Sequence, residues 1–217
     1  MTATYIALEG PDGVGKSTVA EALRERLLRR TPTPYPDVRI RHFPTDALTA
    51  CAQSENHRLT AEDYARDMEN WLSFRPEPVL FPGTPEAHAE PGTLYILDRW
   101  ALSTMVYASL RGEPIQENVA LTLNWLNRVP LTTFALMPRD PATLEDPDYP
   151  DPDGYDPIPV AEAYRKFLTN AFVAGEMSGF IPIIVDHAQD TPDSVAAEIA
   201  EWITEMRRSD APLTRGA

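Results

Sequence analysis

Residues 4–18 read TYIALEGPDGVGKST, and the order of the pieces within this stretch decides the fold. A short apolar run, TYIALE (4–9), stops at Gly10. The loop GPDGVGKS (10–17), followed by Thr18, fits the pattern G-x-x-x-x-G-K-[ST]. Behind it, KSTVAEALRERLLRR (16–30) sets Val19, Leu23 and Leu27 at i, i+4 spacing, one face of a helix. Strand, glycine loop and helix in this order let successive backbone N–H groups turn inward around phosphate oxygens, with the helix N-terminus adding partial positive charge. Gly10, Gly13, Val14, Gly15, Lys16, Ser17 and Thr18 are therefore the expected phosphate-binding set. Lys16 neutralises the outer phosphates, and the Ser17 hydroxyl is a ligand for Mg²⁺.

Outward from this loop, strand-like and helix-like segments alternate. VRIRHF (38–43) reads as a strand and is followed by a polar stretch. TAEDYARDMENWLSFR (60–75) begins on a threonine N-cap and stacks Tyr64, Met68, Trp71 and Leu72 on one helical face. Proline-rich 76–92 leads into LYILD (94–98), a run suited to a strand buried on both faces. Helices are expected over about 101–110 and 115–127, a strand over TTFALM (132–137), and a helix over 160–177. The strand IPIIV (181–185) and a closing helix over about 192–207 complete the chain. This alternation predicts an α/β domain of the P-loop NTPase type, with about five parallel strands and helices on both faces, over residues 1–217.

Composition narrows the function classes. The chain has 217 residues, a formal charge of −14 and 43% hydrophobic residues, so it is long enough for one substantial core. That negative charge repels polyphosphate at long range, and no nucleic-acid surface is expected. One cysteine, Cys51, permits no internal disulfide and suits a reducing cytosol. Without a long apolar run or a basic leader, no membrane partner is expected and the reading is cytoplasmic. The four histidines and Cys51 lack paired metal spacing, and DPDGYD departs from the calcium-loop register at Tyr149 and Val160.

A second anchor is LYILDRW, an apolar strand ending in Asp98, where a carboxylate beside the phosphate loop holds Mg²⁺ directly or through water. With LEGPDGVGKST, HFP (42–44), DRW (98–100) and STMVY (103–107), the chain resembles thymidylate kinases, which are P-loop nucleoside monophosphate kinases. The resemblance implies ATP as phosphoryl donor, Mg²⁺ between Ser17 and Asp98, and a deoxynucleoside monophosphate, dTMP first, as acceptor. It also implies a homodimer.

Carried over by position, Asp12 faces the acceptor's 3′-hydroxyl or simply forms a turn, and Arg99 grips the acceptor's phosphate. Trp71 stacks on the base with Arg75 at its edge, or else Trp71 is core and Arg75 a solvated helix end. Phe43 lines the acceptor pocket or finishes a strand. Thr104 contacts the base, and Tyr107 crowds C2′ of the sugar. Where the family has glutamine after that tyrosine, this chain has Ala108, which leaves room for a broader deoxynucleoside monophosphate kinase.

Two departures stand out. The acceptor-side arginine of the family is replaced by Thr45 and Asp46, leaving Arg39, Arg41 or nothing as its substitute. The lid, by its place in the strand order, is PRDPATLEDPDYPDPDGYDPIP (138–159), with seven acids, seven prolines and a single arginine. Arg139 is thus the first candidate for the cation on the transferred phosphoryl, followed by Arg165 and Lys166. A deoxynucleoside kinase and a nucleotide-binding switch without transfer are the remaining alternatives.

Overall fold

The computed structural model describes residues 4–31, 35–54, 58–72, 92–113, 131–144, 156–173 and 180–209, with isolated positions between 116 and 124. Arg75, the proline-rich 76–91, most of the helix expected over 115–127, and 145–155 of the expected lid lie outside the described residues.

Five strands form one parallel sheet: β1 (Thr4–Glu9), β2 (Asp37–His42), β3 (Thr93–Asp98), β4 (Thr132–Pro138) and β5 (Phe180–Val185). Their order is β2-β3-β1-β4-β5. The first crossover helix, α1 (Lys16–Arg29), follows the glycine loop. Two short helices, α2 (Asp46–Ser54) and α3 (Ala61–Leu72), precede β3, and α4 (Ala101–Leu110) follows it. Beyond β4 come a 3₁₀ turn (Pro141–Leu144) and α5 (Pro157–Val173), and α6 (Pro192–Ser209) closes the chain.

Strand alternation explains the two layers of helices. Ile6, Leu8, Leu94, Ile96, Phe134, Leu136 and Ile183 point to one side and bury against Leu23 and Leu27 of α1 and Val195 and Ile199 of α6. Ala7, Tyr95 and Leu97 point to the other side, against Ala65 and Met68 of α3 and Ala101 and Ala108 of α4. Leu102 and Val106 of α4 meet Val160 and Tyr164 of α5 there. Interior β3, between β2 and β1, is buried at every position, as a strand covered on both faces must be. Truncating Leu23, which is fully buried, to alanine would cost about 2–5 kcal/mol. An aromatic cluster of Tyr5, Phe43, Trp71, Tyr95 and Trp100, edge-on except for the stacked pair Tyr5–Tyr95, joins sheet and α3, with centroids 5.4 to 5.9 Å apart.

The helix over Asp46–Ser54 stands where the sequence suggested only a polar stretch. Its start is set by Thr45, whose Oγ1 accepts from Leu48 N at 3.4 Å. Asp67 on α3 in turn holds Thr45 through both its backbone N–H, at 2.8 Å, and its hydroxyl, at 2.9 Å. Helix α3 starts on a capping box in which Thr60 N–H and hydroxyl donate to Asp63 and Thr60 Oγ1 accepts from Asp63 N.

Register places the site. Leu8 pairs with Asp98 and Glu9 with Ala135, so β1 and β3 end level with each other. The glycine loop and Arg99 therefore leave the sheet side by side, at the carboxyl edge where open α/β sheets bind ligands. No helix among the described residues is long and apolar enough to cross a membrane.

Candidate active site

Gly10 leaves β1 at φ 144°, and a Cβ there would sit 2.3 Å from the carbonyl oxygen of Leu136 on β4. Only glycine lets the loop pass so close to the neighbouring strand. The loop then enters α1 through Gly15, which is left-handed and gives no side-chain cap, so the first N–H groups of α1 have no capping side chain at their head. Lys16 curls back over the loop, donating to the carbonyls of Gly10 at 2.9 Å and Pro11 at 2.7 Å, with Asp12 Oδ1 at 3.9 Å.

Below the loop, Ser17 Oγ donates to Asp98 Oδ2 at 2.5 Å, and His42 Nδ1 lies 3.0 Å from the same oxygen. Asp98 is 4% exposed. A hydroxyl and a carboxylate this close form a hard-oxygen pair, and that donor set fits Mg²⁺, which keeps water as its other ligands. A cavity of about 490 Å³ opens over these groups, lined by Lys16, Ser17, Thr18, His42 and Asp98 among others.

A second cavity, of about 160 Å³, lies between the strand ends, α3 and α4. Phe43, Pro44, Tyr64, Met68, Trp100, Thr104 and Arg111 contribute to its wall. The two cavities share Asp12, Phe43 and Arg99.

Arg99 is the pivot. Its φ of 72° is a conformation that side-chain-bearing residues rarely adopt, at a cost of about 1–3 kcal/mol. Its N–H donates to Leu8 O at 3.0 Å. Its guanidinium ion-pairs with Asp12 Oδ1 and lies 5.3 Å over the Tyr107 ring, while Tyr107 donates its hydroxyl to Asp12 Oδ2 at 2.6 Å. Arg99 Nη1 and Thr104 Oγ1 are buried with no hydrogen-bond partner among the described residues. Buried polar atoms are normally satisfied, so two orphans on the wall of one cavity mark where a ligand's acceptors belong.

The structure thus brings together Asp12, Lys16, Ser17, Phe43, Asp98, Arg99, Thr104 and Tyr107. Trp71 does not line the cavity; it packs edge-on against Tyr5, Phe43 and Tyr95. The α3 residues that face the cavity are Tyr64 and Met68, two turns and one turn earlier on the same stripe. Arg39 pairs with Asp37 at 2.6 Å, and neither it nor Arg41 lines either cavity. Arg165 donates to Pro138 O at 3.0 Å.

Arg139 follows β4 at the start of the expected lid, donating through Nη1 to Asp186 Oδ2 at 2.8 Å and through its backbone to Val185 O at 2.8 Å. Thr143 Oγ1 lies 3.2 Å from His187 Nδ1, a second tie to the loop after β5. Leu144 rests on the glycine loop: a Cβ on Gly13 would lie 3.3 Å from its carbonyl oxygen.

Sequence reasoning passed over Glu9. It is fully buried, accepts from the N–H of Leu102 at 3.0 Å and of Ser103 at 3.2 Å, and from the Ser103 hydroxyl. Burial pushes its carboxyl up to about 7, against the lowering effect of those bonds and of the nearby positive charges of Arg99 and Lys16. A charge closing an otherwise apolar strand was the available signal.

No protein-family model matches this sequence. No curated protein matches it either. Solved structures do, over nearly the whole chain. A thymidylate kinase from Candida albicans is 17% identical, with 95% of this chain and 93% of that one covered and a TM-score of 0.62. A thymidylate kinase from Ehrlichia chaffeensis is 16% identical, over 94% and 100%, with a TM-score of 0.58. The YorR protein of Bacillus subtilis, in complex with phosphorylated GDP, is 23% identical, over 95% and 98%, with a TM-score of 0.55. At such identities the likeness establishes architecture alone: the chain shares with these structures an α/β fold on a five-stranded parallel sheet, here of order β2-β3-β1-β4-β5.

Proposed function

We propose that this protein transfers the γ-phosphoryl group of ATP to a deoxynucleoside monophosphate, dTMP first, giving ADP and the diphosphate. The observation that carries this reading is the meeting of two cavities at Arg99, Asp12 and Phe43, one walled by the glycine loop and the other by α3 and α4. A single nucleotide site would need only the first.

In this reading the donor's phosphates lie along residues 10–18. They take over the Lys16 ammonium, which otherwise serves the carbonyls of Gly10 and Pro11. Ser17 and Asp98 would hold Mg²⁺, which when bound offsets charge on the phosphates. Arg99 turns from Asp12 to the acceptor's phosphate, a pairing that suits a bidentate guanidinium. An oxygen of that phosphate attacks the γ-phosphorus as the bond to the β-phosphate oxygen breaks, and ADP leaves. No side-chain nucleophile is required, so the protein contributes position and charge. Asp12 takes the 3′-hydroxyl, Tyr107 packs under the sugar, and Thr104 meets the base with its unpartnered hydroxyl. Arg139, at the root of the lid, supplies the cation for transfer. Assembly as a homodimer belongs to the same proposal, and sedimentation velocity tests it.

One observation favours a broader acceptor range. Ala108, where the resemblance expects a glutamine, is fully buried and lines neither cavity, so that position offers no amide to a base edge. The deciding experiment measures ADP formation from ATP and Mg²⁺ with each deoxynucleoside monophosphate. A kcat/KM for dTMP well above the others is expected. Comparable values for all would select the broad enzyme. ATP binding with no acceptor-dependent ADP would overturn both in favour of a binding switch.

A further inference from the structure

We propose that Glu9 is the positioning residue for Arg99, clamping the start of α4 so that the guanidinium is held at the junction of the two cavities. The inference rests on the reading of Arg99 as the acceptor-phosphate ligand.

Two consecutive residues of β1 bracket Arg99. On its N-terminal side, Leu8 O accepts the Arg99 N–H at 3.0 Å. On its C-terminal side, the Glu9 carboxylate accepts the N–H groups of Leu102 and Ser103 and the Ser103 hydroxyl. Helix α4 has no other side-chain cap, since Trp100 at its head makes none. Glu9 therefore does for α4, from a neighbouring strand, what an N-cap residue does locally, and its negative charge lies at the positive end of the helix dipole. Between these two fastenings the chain must make its turn through the left-handed conformation of Arg99. Loosening either one lets that residue relax to an ordinary backbone angle and swings its side chain away from Asp12.

Packing alone does not account for a carboxylate here. Glu9 is fully buried and lines neither cavity, and a leucine would fill the space without the desolvation cost. Nor is it placed as a general base, since three donors occupy its oxygens. The groups that face it are Ser103 and Tyr164, whose hydroxyl lies 2.7 Å from Ser103 Oγ, together with the charges of Arg99 and Lys16. Gly10 follows directly, so one residue ties the donor loop to the acceptor arginine.

The test compares wild type, Glu9→Gln and Ser103→Ala at pH 8, above the raised pKa of about 7, where the Glu9 carboxylate carries its charge. Hydrogen exchange is followed over residues 99–104, and binding of dTMP and of ATP is measured separately by calorimetry. Glu9→Gln keeps the shape and one acceptor oxygen but loses the charge, and is expected to speed exchange in 99–104 and raise the dTMP Kd about tenfold. ATP affinity stays within about twofold, because the loop's own backbone holds the donor. Ser103→Ala, which removes one bond of the clamp, gives the same pattern at about threefold and carries the test should the first variant not fold. Unchanged exchange over 99–104, or equal losses for dTMP and ATP, would overturn the proposal. If wild type binds no monophosphate, the functional reading falls, while the exchange result still decides whether Glu9 holds the Arg99 turn.

Discussion

Tyr107 donates its hydroxyl to Asp12 Oδ2 at 2.6 Å while Arg99 occupies the other oxygen of the same carboxylate. Asp12 is thus a stand-in anion for its own arginine. Asp12→Asn should separate two effects. Inorganic phosphate should bind about threefold tighter, since a part-exposed ion pair no longer competes for the guanidinium. If Asp12 takes the acceptor's 3′-hydroxyl, turnover with dTMP should fall, because an amide oxygen replaces the charged acceptor. Calorimetry with phosphate and steady-state kinetics with dTMP check the two halves, and a parallel change in both would contradict this role.

Thr104 carries a buried hydroxyl with no partner among the described residues, so its removal should be felt only with ligand present. Thr104→Val should leave thermal stability of the free protein unchanged or slightly raised, and should raise the dTMP Kd about fivefold, the worth of one neutral hydrogen bond. A large loss of stability would show that the hydroxyl already has an internal role.

Glu9 should impose a pH dependence on stability. Its carboxyl is raised from the ordinary 4.5 to about 7 by burial, so between these values the folded state binds the proton that the unfolded state has lost. The contribution to stability is present at low pH and is lost as pH rises through 7, by up to about 3 kcal/mol at 1.36 kcal/mol per unit. Urea unfolding at pH 5 and pH 8 should show it, and Glu9→Gln should flatten that part of the slope. A wild-type slope retained in the variant would assign it to other groups.

Arg139 is exposed and paired with Asp186, poised where the lid segment leaves the sheet. If it supplies the transfer cation, Arg139→Ala should lower kcat by about tenfold or more, with KM for both nucleotides little changed. Full turnover would reduce Arg139 to a tether for the loop after β5.

Much of this architecture is legible in the chain because it is written locally. TYIALE, LYILD, TTFALM and IPIIV are short apolar runs, and the glycine loop between the first run and its helix dictates its own backbone. VRIRHF carries arginines at alternate positions because β2 is an edge strand. What escaped the sequence depends on distant partners. The helix over Asp46–Ser54 starts at Thr45, but Thr45 is fixed by Asp67, 22 residues away. Periodicity put Tyr64, Met68 and Trp71 on one face of α3, yet it carries no information on which turn reaches the cavity and which meets the aromatic cluster. Glu9 was visible as a charge, but the amides that explain it lie 93 and 94 residues on.

Gly13 adopts φ 79°, and a Cβ there would lie 3.3 Å from the Leu144 carbonyl oxygen. An arginine at that position would meet an unfavourable backbone and a close carbonyl together, so placing a cation there asks the turn after β4 to give as well. Two coordinated changes are harder to reach by single mutations than one. The route open to this lineage, and to anyone redesigning it, is to recruit positive charge from the lid side.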